Sequence, residues 1–372
     1  MVNELEVNNI TTKGTLITNL LAYSITHGLI DASCAAVIAA NIVQGSMDLA
    51  QISFYIVLYN TLAFALQTPI GIIVDIARKP VEAAILGCLL VLVGVITYRT
   101  GSFSIIIVGL GNALFHVGGG ITALNLKRGK ASMPGIFVAP GAIGLLVGGF
   151  FGGAKYFTVW PLVALLIAAV IIILKVKRPF INYDYKSEKA INGFYIILSC
   201  IFASIAIRGL VGFMLTYPWK SNIFLLIAFT LAVALGKALG GILGDLFGWT
   251  RITVVGLVLA APLLILGLNR PYLAIFGVLL FNLTMPVTLT VIANMLPGRA
   301  GFAFGLTTLA LIIGAFPTFT ELKPMLSVNN KGMLFGGVVL MALLVWVGLK
   351  LYFSKERVVI TRNKFIQEGM GK

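Results

Sequence analysis

His27 and Asp31 stand four residues apart in an apolar stretch, so on a helix they share one face about one turn apart. An imidazole beside a carboxylate can take up and release a proton near neutral pH. A buried acid in hydrocarbon costs about 2.5 to 3.5 kcal/mol on insertion scales, which implies a task for it. His116, Arg208 and Lys237 also fall well inside apolar runs, and Asp31 is the single carboxylate deep within any of them. These five residues are expected to face a shared interior that binds a solute and a proton. A hydrogen bond to a neighbouring helix is the alternative role for each histidine, and Arg208 is a candidate partner of Asp31. Lys237 is open between lining the interior and snorkelling to the surface. Asp31 set against Arg208 and Lys237 leaves the interior positive, which favours an anionic or zwitterionic solute over a lipophilic neutral one held by Phe and Met. Asn60, Gln67, Asn112 and Asn282 read as interhelical hydrogen-bond groups.

A second constellation occurs twice. GIIVDIARKP places Gly71, Asp75 and Arg78, and GGILGDLFGWTR places Gly241, Asp245 and Arg251, each at the end of an apolar run. Recurrence of the same Gly-to-Asp spacing predicts a duplicated unit of membrane helices, the build of secondary transporters. A carboxylate there can accept hydrogen bonds from the positive N-terminus of a helix in the other half, while a nearby arginine balances its charge.

The elements that would carry these groups follow from composition. Of 372 residues 59% are hydrophobic and 10% charged, and the mean hydropathy is +1.04, against about 25% charge in soluble domains. Runs of about 20 apolar residues fall near 15-40, 50-74, 81-98, 103-125, 133-153, 157-175, 192-217, 222-244, 252-268, 272-294, 301-320 and 332-353. The expected fold class is therefore an all-α integral membrane protein of twelve transmembrane helices in two six-helix bundles, residues 1-176 and 191-372, joined by a polar linker at 177-190. The acidic, polar N-terminal residues before a long first run argue for a retained span rather than a cleaved signal.

Lysine and arginine cluster on the side that holds Arg78, Lys127, Lys177, Arg251, Arg299 and the C-terminal tail, which predicts both termini in the cytoplasm of a multi-pass cytoplasmic (inner) membrane protein. That basic face also accounts for the net charge of +15 through anionic lipid headgroups, with no nucleic acid as partner. Cys34, Cys88 and Cys200 lie in apolar runs without metal-ligand spacing, so neither a metal nor a cofactor is expected, and the chain is expected to act as a monomer. Gly144, Gly148 and Gly152 form a small-residue stripe in the fifth run, with Pro140 before it. Such a stripe permits close helix contact, either static or sliding during transport. HExxH, GxSxG, paired carboxylates and a DxxxD metal motif are absent from the sequence, which disfavours a membrane-embedded lipid-modifying enzyme.

The two Gly-x-x-x-Asp segments, with twelve spans and a central loop, resemble the major facilitator superfamily. Within it, HGLID at His27 and Asp31, GLGNALFH ending at His116, GIFVAPGAIG, and AIRGLVGF at Arg208 resemble the fosmidomycin-resistance-type branch. The resemblance implies export of small drugs in exchange for protons, and a cytoplasmic lock at Asp75 and Arg78 that holds an outward-facing state, with Asp75 against the start of the eleventh span near Arg299 and Gly301. Three positions depart from that pattern: Ile30 stands where the branch has asparagine, Val117 where it has proline, and the basic run after Asp245 is reduced to Arg251.

Overall fold

A computed structural model describes residues 13–45, 47–183, 193–320, 322 and 325–369, the last fifteen or so as backbone only. The N-terminal residues with Glu4 and Glu6, most of the linker with Lys186 and Lys189, Lys323, and the side chains of the basic tail lie outside this description. Among the described residues, twelve apolar helices fall at the twelve expected places, ten of them long enough to cross a membrane and two, Pro80–Ile96 and Trp160–Lys175, shorter. They are α1 (Lys13–Gln44), α2 (Leu49–Ala77), α3 (Pro80–Ile96), α4 (Ser102–Leu126), α5 (Ser132–Gly152), α6 (Trp160–Lys175), α7 (Phe194–Met214), α8 (Ile223–Phe247), α9 (Trp249–Leu266), α10 (Pro271–Met295), α11 (Ala300–Phe319) and α12 (Lys331–Ser354).

Local signals set the ends. Asp48 and Gln51 form a reciprocal capping box at the start of α2, and Pro80, Pro161 and Pro271 sit in the first turns of α3, α6 and α10, where a missing amide hydrogen costs nothing. Two spans are less regular than a single apolar run suggests. A π-turn over Thr61–Ala65 interrupts α2, and α10 breaks between Asn282 and Thr284. Both irregular turns sit where the backbone is packed against other helices rather than lipid, the condition under which they are tolerated.

One large cluster of buried apolar side chains is built mainly from α1 to α6, around Ile30, Phe115, Phe137 and Leu166. Another is built mainly from α7 to α12, around Ile201, Leu257, Val291 and Met341. Leu, Ile and Phe line the outer faces, where Leu21, Ile73, Leu145, Leu231 and Leu343 are exposed, as lipid contact requires.

The glycine stripe on α5 packs inside the first half. A Cβ at Gly144, Gly148 or Gly152 would strike backbone atoms of Gly28, Ala32 or Ala36 on α1. The stripe thus joins α1 to α5 within one half. Contact between the halves runs instead along α2 with α11 and α5 with α8. Thr68 Oγ1 donates to Gly305 O at 2.9 Å and Thr308 Oγ1 to Phe64 O at 3.1 Å, while Gly135 of α5 lies on the backbone of Lys237.

Candidate functional site

His27 and Asp31 do lie on one face of α1, with His27 Nε2 3.2 Å from Asp31 Oδ2. Helix α4 completes a ring around the acid. His116 Nε2 is 3.5 Å from Asp31 Oδ1 and 2.9 Å from His27 Nε2, and Asn112 Nδ2 donates to Asp31 Oδ1 at 3.0 Å. His27 is 4% exposed, Asp31 8% and Asn112 3%, so protein groups have replaced nearly all water around this charge. Phe115 and Phe137 wall the ring, with centroids 6.4 and 4.7 Å from that of His27.

The backbone positions both imidazoles. His116 Nδ1 faces the carbonyl of Asn112, one turn back on its own helix, at 2.9 Å. His27 Nδ1 faces the carbonyl of Phe137 on α5 at 2.8 Å, in the turn that Pro140 loosens by lacking an amide hydrogen. Gly141 leaves room, since a Cβ there would collide with the Asp31 carboxylate and the His27 ring.

Arg208 and Lys237 occupy the other half. Arg208 is 7% exposed, and its Nε has no hydrogen-bond partner. The expected pairing of Asp31 with Arg208 is therefore corrected: His27, His116 and Asn112, all in its own half, satisfy the carboxylate. Lys237 is half-buried on α8 and close enough to Arg208, Asp31 and His116 to act on them electrostatically. At 1.5 Å per residue, Gly141 beside the ring stands about 14 Å above Ser132. Leu311, whose carbonyl meets Gly209, stands about 15 Å above Gly301. Counted along the helices, the ring and the α11 residue beside Arg208's neighbour Gly209 are thus similar distances from the two aspartate-capped helix starts. Asn112, read from sequence as an interhelical amide, is the member that spacing did not single out.

Three ligand atoms, one each from His27, Asp31 and His116, lie within 4.8 Å of one another, close enough to consider a metal ion. Two nitrogens on a tetrahedral ion with bonds of about 2.0 Å are about 3.3 Å apart. The 2.9 Å between the Nε2 atoms fits a hydrogen bond better.

The Gly-x-x-x-Asp repeat forms two matching contacts. Asp75, at the end of α2, accepts from the amides of Gly301 at 2.9 Å and Phe302 at 2.8 Å, the first turn of α11. Asp245, at the end of α8, accepts from Ala131 at 3.0 Å and Ser132 at 2.9 Å, the start of α5. Each carboxylate meets the positive end of a helix dipole. The glycines make this approach possible: Gly71 and Gly301 each lie where the other's side chain would be, and a Cβ at Gly241 would overlap the backbone of Ala131 and Ser132.

Arg299 acts on Asp75 electrostatically, as expected, and Arg78, in a left-handed conformation at φ 58°, lies over the ring of Tyr183 at 5.8 Å. Burial, and secondarily the Asp75 carboxylate, hold the Tyr183 phenol above its usual range. Arg251 stands exposed on α9, and the indole of Trp249 donates to Asp245 Oδ1 at 3.0 Å. Trp249, not Arg251, is the side chain joined to the second aspartate. Linker residues close the same end, with Arg178 on Glu82 at 2.6 Å and Asn19 donating to Lys177 O at 2.9 Å.

Two solved structures are similar over nearly the whole chain. One is a variant of the E. coli fucose:proton symporter FucP, with TM-score 0.62 and 12% identity over 89% of this chain and 98% of that one. The other is FucP, a major facilitator superfamily transporter, in the outward conformation, with TM-score 0.63 and 12% identity over 89% and 99%. The fold is that of the major facilitator superfamily. No protein-family model and no curated protein matches the sequence. In this fold the two aspartate contacts relate the second and eleventh helices as the eighth and fifth, as expected for halves related by a pseudo-twofold axis.

Proposed function

We propose that the chain is a secondary active transporter of the cytoplasmic membrane, working by alternating access between a six-helix unit at 1-176 and another at 191-372. With the basic end in the cytoplasm, the state described is closed to the inside by the Asp75 and Asp245 contacts. The solute is a small anionic or zwitterionic organic compound, held between the halves, and a proton at the His27, Asp31 and His116 ring drives it. The observation that carries this reading is the pair of a buried, internally satisfied acid-histidine ring in one half and, in the other, a buried guanidinium whose Nε lacks a partner among the described residues. A guanidinium so placed suits a carboxylate, phosphate or phosphonate. Resemblance to the fosmidomycin-resistance branch supports proton-driven export as a monomer.

A second direction has its own support. Asp31 and Arg208 do not pair, so a proton on one half and an anion on the other need not compete for the same group, and each makes the binding of the other more favourable. That linkage suits uptake of proton and anion together, the sense in which FucP is named a symporter.

Purified protein in liposomes separates the readings. Labelled phosphonoacetate, lactate and fosmidomycin serve as solutes, with the proton gradient imposed in either direction. Accumulation against the proton gradient supports export, and accumulation along it supports symport. Unchanged label in counterflow marks a transporter rather than a lipid-modifying enzyme, and no movement of any solute under either gradient refutes proton-driven transport of this solute class.

A further inference from the structure

We propose that His27 and His116 hold one shared proton between their Nε2 atoms, and that Asp31 stays ionised beside it as a fixed counter-charge. The inference deepens the proton-coupled reading above and rests on it for its functional meaning. It moves the transported proton from the carboxylate to the imidazole pair.

Hydrogen-bond bookkeeping carries the inference. Each Nδ1 faces a backbone carbonyl, Phe137 O at 2.8 Å for His27 and Asn112 O at 2.9 Å for His116. A carbonyl can only accept, so both Nδ1 atoms carry hydrogen, and a neutral imidazole has only one N–H. Two neutral rings would then turn bare lone pairs toward each other at 2.9 Å, with the carboxylate oxygens 3.2 and 3.5 Å away. No donor in such an arrangement offsets the repulsion, and the buried site holds little water to do so. One added proton resolves it, making an N–H···N bond of ordinary length and an imidazolium next to its counter-charge.

The surroundings suit an ionised acid. Asn112 can direct only amide hydrogen to Asp31 Oδ1, which asks for an acceptor there. The other polar or charged groups that bear on the ring are Cys34 on α1, Tyr59 on α2 and Lys237 on α8, with Arg208 on α7 acting on Lys237 in turn. Helix α5 contributes Gly141 and the Phe137 carbonyl, which do not titrate. Proton loss removes the bond that ties α1 to α4 through the two rings and leaves uncompensated negative charge acting on Lys237, which in turn acts on Arg208. Binding and release of the proton therefore change both the geometry of the first half and the field at the anion site.

The chain has two histidines, so histidine labelled with 15N reports this site alone. The full-length protein in detergent micelles is titrated from pH 5 to 10 and followed by 15N spectra. Near neutral pH both Nδ1 resonances are expected at protonated positions and the Nε2 resonances between protonated and bare. As the single proton leaves, both Nε2 signals should move together to the bare position while Nδ1 stays put. Asp31→Asn is expected to keep the tautomers and to lose the proton about one to three pH units lower, because the counter-charge is gone.

A bare Nδ1 on either ring, two independent titrations, two neutral rings throughout, or one equivalent of Zn2+ retained through EDTA treatment would overturn the shared proton. The liposome assay separates this from the underlying reading. A shared-proton spectrum without any proton-driven transport sinks the coupling and leaves the assignment standing. Proton-driven transport with independent rings sinks the assignment alone.

Discussion

Asp75→Asn tests whether the aspartate contacts hold the basic end shut. The carboxylate accepts two backbone hydrogens, from Gly301 and Phe302, while an asparagine can keep one acceptor and must turn an NH2 toward the other amide. The loss is about one charge-assisted hydrogen bond, roughly 1.5–3 kcal/mol, together with roughly 0.3–1 kcal/mol of charge–dipole attraction. About 3 kcal/mol against the closed state multiplies the open-to-closed ratio by about 100, at 1.4 kcal/mol per decade. A cysteine at Thr308, whose hydroxyl bonds across the halves to Phe64 O, reports the opening. Cys34 and Cys88 are buried, so Cys200→Ser provides the background. Labelling by an impermeant maleimide from the basic face of inside-out vesicles should accelerate by about 100-fold until the open state dominates. Asp245→Asn should add a second acceleration of similar size, since one movement breaks both contacts. Rates within twofold of the parent, in folded and inserted protein, refute the lock.

Gly71→Ala should favour opening by about 1–3 kcal/mol, because its Cβ overlaps Gly301 backbone that cannot rotate away; the same labelling assay reads it. Trp249→Phe removes the indole donor to Asp245 but leaves both amide bonds, so its acceleration should fall below that of Asp245→Asn. Gly141→Ala presses on Asp31 and His27 and should abolish proton-driven accumulation, while counterflow of the same solute survives. Arg208→Gln should weaken binding of an anionic solute by at least about tenfold, consistent with loss of a charge-assisted bond of about 1.5–3 kcal/mol, with little effect on a neutral solute; a thermal-shift titration checks it.

Residues that act along one helix or at its end were legible in the sequence. The pairing of His27 with Asp31 follows from spacing alone; the repeat and the dipole of a helix start give Asp75 a helix end in the other half, and the family resemblance names that end as Gly301. Partners set by the rotation of one helix against another were not. Asn112 and Arg208 are equally plausible neighbours for an acid on α1 until the facing of α4 and α7 is known, and apolar spans with nearly uniform hydrophobicity do not encode that facing. The stripe of Gly144, Gly148 and Gly152 shows the same limit: small residues announce a close contact, yet not whether the neighbour belongs to the same half. Trp249 escaped because an indole four residues past Asp245 reads as an interfacial anchor, whereas its nitrogen turns inward to the carboxylate.

Across the two halves, Asp75 and Asp245 grip peptide hydrogens, the Trp249 indole that also reaches Asp245 belonging to its own half. Every residue except proline supplies such a hydrogen, so substitution at Phe302 or Ala131 leaves the donor in place wherever the new side chain fits. The molecule's tolerance to mutational drift is therefore lopsided. At each closure one carboxylate must be kept and the glycine contacts must stay small, while the opposing segment is free to change its chemistry. A scan of all substitutions at the half-buried position 302 should find proline singled out, whereas at 131, which is fully buried, proline and bulky residues should both reopen the basic end.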